Sequence, residues 1–257
     1  MRIFKGRALH KQIAIGNLHF FHRVPPVLQR NSKRSPEEEE ARYLWAQKQS
    51  VISLAALYDR ALHEVGQEMA AIFAIHSMIL EDSEAERRIR AMILTQGVTA
   101  EYAVYTVGCE VAEMFAQMDN EYMRQRSIDI QDITRRMVLR LLNSNGPDHQ
   151  GDRPAILVAE TFFPSEVMEL DHRKLLGLIS TRDGVTSHTG LLLDAYHIPT
   201  MVDVEIPVSM EGHLCLMDGF AQTLYLDPED SVMEQLRLDY QAGGKPEESE
   251  EIEEILV

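Results

Sequence analysis

What most constrains this chain is a change of pattern that occurs twice. Strand-like segments open it, helix-patterned residues fill 35–142, and short strands alternating with short helices follow from 155 onward. The opening segments, Arg2-Ile-Phe-Lys-Gly, Ile13-Ala-Ile-Gly and Asn17-Leu-His-Phe-Phe-His, are punctuated by glycine. These first 22 residues are too few to make a sheet alone, since an isolated hairpin is marginal in water. They must join strands from the far end of the chain. The simplest architecture is therefore one α/β domain interrupted by an inserted all-α domain.

The helical block has clear boundaries. Ser35-Pro36-Glu37-Glu38 places Ser at the cap, Pro at the first helical position and Glu at the third. The stripe Leu44, Val51, Ala55, Tyr58, Leu62 and Val65 gives the first helix its apolar face, and Gly66 breaks or bends it. A second helix covers about 67–80, Ser83 to Glu86 caps a third that ends near Gly97, and Thr99 caps a fourth. The fourth carries Val104, Val107, Val111, Met114, Met118 and Tyr122; a fifth carries Ile130, Ile133, Met137 and Leu141 before Asn143-Ser-Asn-Gly-Pro stops it.

The linker-like stretches at about 23–34 and 143–154 would let the two parts swivel. In the remainder, Ala155–Ala159, Leu175–Ser180, Ile198–Val202, His213–Met217 and Thr223–Leu226 read as strands, with helices from Phe163 and over about 229–240. The predicted divisions are 1–22, 35–142, 155–240 and an acidic tail at 241–257.

Composition narrows the function classes. A formal net charge of −16 argues against sequence-independent contact with nucleic acid or an anionic membrane, and suits a protein partner with a basic face. No apolar run approaches the ~20 residues that span a bilayer, and the N-terminus lacks a signal-like apolar core, so a cytoplasmic location is expected. Cys109 and Cys215 stand far apart and form no metal-ligand spacing or redox pair. No bound metal is expected.

The chemistry concentrates at Asp183 to Met201. There His188 sits in a Gly-Val-Thr-Ser turn, followed at once by an apolar run suited to a short helix. A helix N-terminus offers unpaired amides and a positive dipole end, so it can hold an anion beside the imidazole. Neutral imidazole is nucleophilic near pH 7 and a good leaving group once phosphorylated, which fits reversible phosphoryl transfer.

Gly184-Val-Thr-Ser-His-Thr, the short helix after it and Ile198-Pro199 resemble the phosphohistidine signature of phosphoenolpyruvate-utilising enzymes. The helical insert is similar to the carrier-binding part of Enzyme I of the sugar phosphotransferase system, through Ala71-Ile-Phe-Ala-Ile-His-Ser-Met-Ile-Leu-Glu-Asp and Asp119-Asn-Glu-Tyr…Ile130-Gln-Asp-Ile. The start, Gly6…Ile13-Ala-Ile-Gly16, fits as well.

The resemblance implies an α/β phosphohistidine (swivelling) domain with an inserted helical carrier-binding domain. It implies a phosphotransferase that carries phosphate on Nε2 of His188, with Gly184, Thr186, Ser187 and Thr189 supporting the phosphate. It also implies a small histidine-containing phosphocarrier protein docking on Glu68, Ala71, His76, Ile79, Asp82 and Glu84. A separate phosphoenolpyruvate-binding subunit is a second candidate partner. No cofactor is expected in this chain, because Mg²⁺ and phosphoenolpyruvate belong to the family's C-terminal barrel, which would begin where this sequence stops.

Four positions depart from the family pattern. Asp183 replaces a glycine, Phe163 a threonine whose hydroxyl would reach the histidine, Asp194 an arginine, and Met69 a basic residue near the carrier face. Two added carboxylates disfavour a phosphate dianion unless they point away. The competing expectation is a non-catalytic regulatory module that keeps the fold and docks a carrier without turnover.

Overall fold

The structure is a computed structural model, and residues 1–21, 23, 27–143, 151–182 and 187–234 are described. Strands β1 (Arg2–Lys5), β2 (Arg7–Ala8) and β3 (Ile13–Phe20) lead into five helices: α1 (Pro36–Glu64), α2 (Gln67–Leu80), α3 (Ser83–Gln96), α4 (Ala100–Ala116) and α5 (Glu121–Leu141). The chain then runs β4 (Ala155–Ala159), α6 (Pro164–Glu169), β5 (Leu175–Ser180), α7 (Ser187–Ala195), β6 (Thr200–Val202), β7 (Leu214–Asp218) and β8 (Thr223–Leu226). The tail at 241–257 and most of the helix expected over 229–240 lie outside the described residues.

The opening strands pair with the C-terminal ones. The sheet order is β1-β8-β7-β3-β4-β5-β6-β2, with β3, β4, β5 and β6 parallel and the remaining neighbours antiparallel. Every residue of β4 is buried, because apolar layers cover this central strand on both faces. One layer contains Ile156, Val158, Ile179 and Met217. The other joins Leu157, Leu178 and Leu192 to Leu54, Ile72 and Phe73 of α1 and α2, so the helical insert and the sheet share a core.

Local chemistry sets the helix starts. Ser35 Oγ accepts from the Glu38 amide at 3.2 Å while the Glu38 carboxylate accepts from the Ser35 amide at 2.9 Å. Thr99 caps α4, and Gly66, at φ +96°, turns the chain between α1 and α2. The α3 cap is Asp82 rather than Ser83: its Oδ1 accepts from the Glu84 and Ala85 amides at 3.1 and 2.9 Å, and a carboxylate also suits the positive helix end.

The buried face of α1 differs from the expected stripe. It consists of Glu39, Tyr43, Ala46, Ser50, Leu54, Leu57 and Ala61, whereas Leu44 and Leu62 are exposed. Small residues let neighbouring helices approach, and Glu39 is neutralised inside by Arg42 and by the Ala100 amide at 3.0 Å. Likewise α4 ends at Ala116, so Tyr122 belongs to α5, while Ile130, Ile133, Met137 and Leu141 are buried.

Candidate functional site: a histidine held by a buried carboxylate

Helix α7 follows the C-terminal end of parallel strand β5, the edge at which open α/β sheets place ligands. His188 occupies its first turn, with its side chain 18% exposed. Gly184, Thr186 and the departing residue Asp183 lie outside the described residues; Ser187 opens the helix. Thr189 is buried and its hydroxyl donates to the Phe162 carbonyl at 3.1 Å. That hydroxyl anchors α7 to the loop before α6, so it is directed at the protein here.

The insert supplies the partner of His188. Nδ1 lies 3.3 Å from Oδ2 of Asp129, a fully buried residue of α5. Arg126, one turn earlier, reaches the same oxygen at 3.1 Å through Nη1. On the other oxygen, His76 Nε2 of α2 stands 3.3 Å from Oδ1. Burial alone would raise the Asp129 pKa, but the His188 and His76 rings lying beside its two oxygens outweigh it and hold the carboxyl well below its ordinary range.

A second carboxylate grips the α/β part nearby. Asp132 accepts from the Ser165 amide at 3.0 Å and its hydroxyl at 2.5 Å, at the start of α6. Burial pushes the Asp132 carboxyl up, against the lowering pull of His76, Arg136 and the Ser165 bond. With Nδ1 of His188 turned to an ionised carboxylate, that nitrogen is the one suited to hold the proton. Nε2 then keeps its lone pair, as in hydrolase triads where a carboxylate fixes the tautomer of a histidine.

His76 needs correction as a docking residue. Its side chain is fully buried between α2 and α5, with the Phe73 ring edge-on at 5.8 Å, so in this arrangement it offers nothing to an incoming protein. Glu68, Ala71, Asp82 and Glu84 are exposed and Ile79 is partly so. Met78, 72% exposed and two helical turns from Ala71, shares their helix but was not singled out from the sequence.

The departures also find places. Met69 belongs to the core shared with the sheet, not to the surface. Asp194 pairs with His10 at 3.0 Å and is 70% exposed, so its charge is engaged by β-domain residue His10 rather than by His188. The buried Phe163 ring lies under the Arg23 guanidinium, 4.5 Å from its centroid, while Arg23 clasps Glu166 through Nε and Nη2 at 2.8 and 2.5 Å.

Arg126, Asp129, Asp132 and Ser165 were not singled out either. The available signal was charge at Arg126, Asp129 and Asp132, spaced three residues apart along the face that also carries Ile130 and Ile133.

Among the described residues, no group of three or more His, Cys, Asp or Glu could hold a metal ion, and no helix is long and apolar enough to cross a membrane.

An α/β domain split by an all-α insert, its exposed-edge histidine turned toward that insert, is the layout of a phosphohistidine domain with its helical companion. Comparison with known proteins agrees. Residues 5–126 match the PEP-utilising enzyme N-terminal domain and residues 151–222 the PEP-utilising enzyme mobile domain. The chain belongs to the PEP-utilising enzymes, in the part that corresponds to the N-terminal region of Enzyme I.

It is 29% identical over 244 residues to the phosphoenolpyruvate-protein phosphotransferase of Bacillus sp. (strain S), covering 92% of this chain and 42% of that protein. Against the Haemophilus influenzae protein the identity is 32% over 205 residues, 78% of this chain and 36% of the relative. The chain thus spans about 40% of the length of such relatives. The solution structure of Enzyme I (nEIt) superposes with a TM-score of 0.73 at 26% identity, covering 94% of this chain and all of the other. The N-terminal domain of Enzyme 1 - Nitrogen shares the fold, with a TM-score of 0.61 at 24% identity over 91% of this chain and 98% of the other.

Proposed function

We propose that this chain is a phosphoryl-transfer module of Enzyme I type that carries phosphate on Nε2 of His188. It exchanges that phosphate with a small histidine-containing phosphocarrier protein. The observation that carries the reading is the contact between His188 Nδ1 and buried Asp129, which leaves Nε2 as the nucleophile in the first turn of α7. In the transfer, Nε2 attacks phosphorus and the N–P bond to the donor imidazole breaks, its electron pair returning to that ring. Nδ1 of His188 keeps its proton on the Asp129 side. Such transition states resemble a loosely held metaphosphate, so the protein's task is positioning and charge neutralisation.

The docking face of the carrier is the exposed side of α2 and the start of α3. There Glu68, Asp82 and Glu84 are exposed acidic residues on the same two helix segments as exposed Ala71 and Met78 and partly exposed Ile79. A basic-rimmed partner with an apolar centre matches that pattern, and its charges would speed encounter.

Incubation with phosphorylated carrier followed by intact-mass measurement at neutral pH tests the reading. Wild type gains one phosphoryl group and His188→Ala gains none. Equal labelling of the two proteins refutes the assignment. Carrier binding by both proteins without any acid-labile phosphate would instead mark a regulatory module.

A further inference from the structure

We infer that His76 is a positioning residue for phosphoryl transfer at His188, acting through the Asp129 carboxylate. The inference rests on the proposed phosphohistidine role and adds to it a group from the insert that never touches the substrate.

His76 is fully buried, yet neither ring nitrogen has a hydrogen-bond partner among the described residues. Buried polar groups are nearly always satisfied, and an orphan pair on one imidazole calls for an explanation. The ring is not far from partners: Nε2 is 3.3 Å from Asp129 Oδ1 and Nδ1 is 4.0 Å from Asp132 Oδ2. Asp129 Oδ1 is itself without a hydrogen bond. Both groups are thus within a small ring rotation of closing a bond that neither makes.

The two carboxylates flanking His76 are among the groups by which α5 holds the α/β part. Asp129 faces the His188 ring, and Asp132 holds Ser165 at the start of α6. Arg126 and Arg136 complete the surrounding charge on α5, and Glu166 adds a negative charge from α6. A neutral imidazole has one N–H and can serve one carboxylate at a time.

When that N–H is given to Asp129 Oδ1, it fixes the plane of the carboxylate. Oδ2 is then aimed at His188 Nδ1–H, and the Nε2 lone pair of His188 is presented to phosphorus. Without it, Arg126 is the stronger remaining claimant on Asp129, and nothing ties the carboxylate plane to the His188 ring.

The test uses the whole chain with His76→Leu and His76→Gln, the second keeping an N–H donor of similar reach. Imidazole ¹⁵N shifts of unphosphorylated His188 report its tautomer, and phosphoramidate, which needs no docking face, serves as the phosphoryl donor. Wild type should hold the Nδ1–H tautomer. His76→Leu should mix tautomers and slow phosphorylation about 10- to 100-fold, the range typical of groups that orient a functional histidine. His76→Gln should restore most of both.

A folded His76→Leu protein with the wild-type tautomer and rate overturns the inference. Should that variant not fold, a His76→Gln protein that has lost the Nδ1–H tautomer overturns it equally. Absence of phosphate on wild-type His188 from either phosphoramidate or phosphorylated carrier would defeat the proposed function instead, and the tautomer comparison would still decide the role of His76.

Discussion

At the residue scale, the central element is a carboxylate fully buried from solvent. Asp129 is buried with Arg126, His76 and His188 around it, so removing it strands three polar partners. Asp129→Ala should cost about 3–5 kcal/mol in urea unfolding, the range for breaking a buried ion pair from one side. The pH dependence has a definite sign. The folded pKa lies below the ordinary aspartate value, so the carboxylate's contribution is complete above that ordinary value and is lost as the pH falls through the depressed one. Asp132 has the opposite shift, which means its charge opposes folding at neutral pH. Asp132→Asn should therefore cost less at pH 7 than Asp129→Asn, and equal losses would contradict the two environments. Asp194, by contrast, makes an exposed pair with His10. Asp194→Ala should change stability by less than about 0.5 kcal/mol and leave the phosphorylation rate within about twofold, because exposed pairs contribute little.

At the element scale, what could be read from the sequence was the chemistry of termini. Ser35, Gly66 and Thr99 mark the starts of three helices because each rule involves only neighbours along the chain. Ser35→Ala should lower stability by about 1 kcal/mol through loss of the reciprocal cap, measurable as a fall in melting temperature. Buried faces were harder to read. The inner side of α1 contains Glu39 and Ser50 while Leu44 and Leu62 face outward, so hydrophobicity alone found only the flank of the buried face, where Tyr58 and Val65 pack against the core. The same cause hid Arg126, Asp129 and Asp132: polar residues on a buried helix face read as solvent-facing until a partner helix is known. The signature around His188 was legible because it is one contiguous run of residues, and α7 after it is a local element. The Asp129 clamp was not, since it depends on α5 meeting α7 across the fold. Gly108 shows a similar limit. A Cβ there would overlap the Thr134 side chain where α4 packs on α5, so Gly108→Ala should cost about 1–3 kcal/mol by overpacking.

At the scale of the whole molecule, the insert is not a separate body hung on two linkers. Leu54, Ile72 and Phe73 pack into the same core as Leu157, Leu178 and Leu192. Arg60 donates to the Met168 carbonyl at 2.5 Å and Arg136 to Glu169 at 2.7 Å. A shared core of this kind predicts one calorimetric unfolding transition, and two separated transitions would contradict it. The same docking brings the insert's carboxylate to the histidine of the sheet domain, so the architecture and the proposed chemistry stand together. The most direct measurement is ³¹P and ¹⁵N NMR of the protein after exposure to phosphorylated carrier. A single phosphoramidate on Nε2 of His188, with a proton retained on Nδ1, is the expected result. Phosphate on Nδ1 of that ring, or on any other residue with His188 left unmodified, would contradict it.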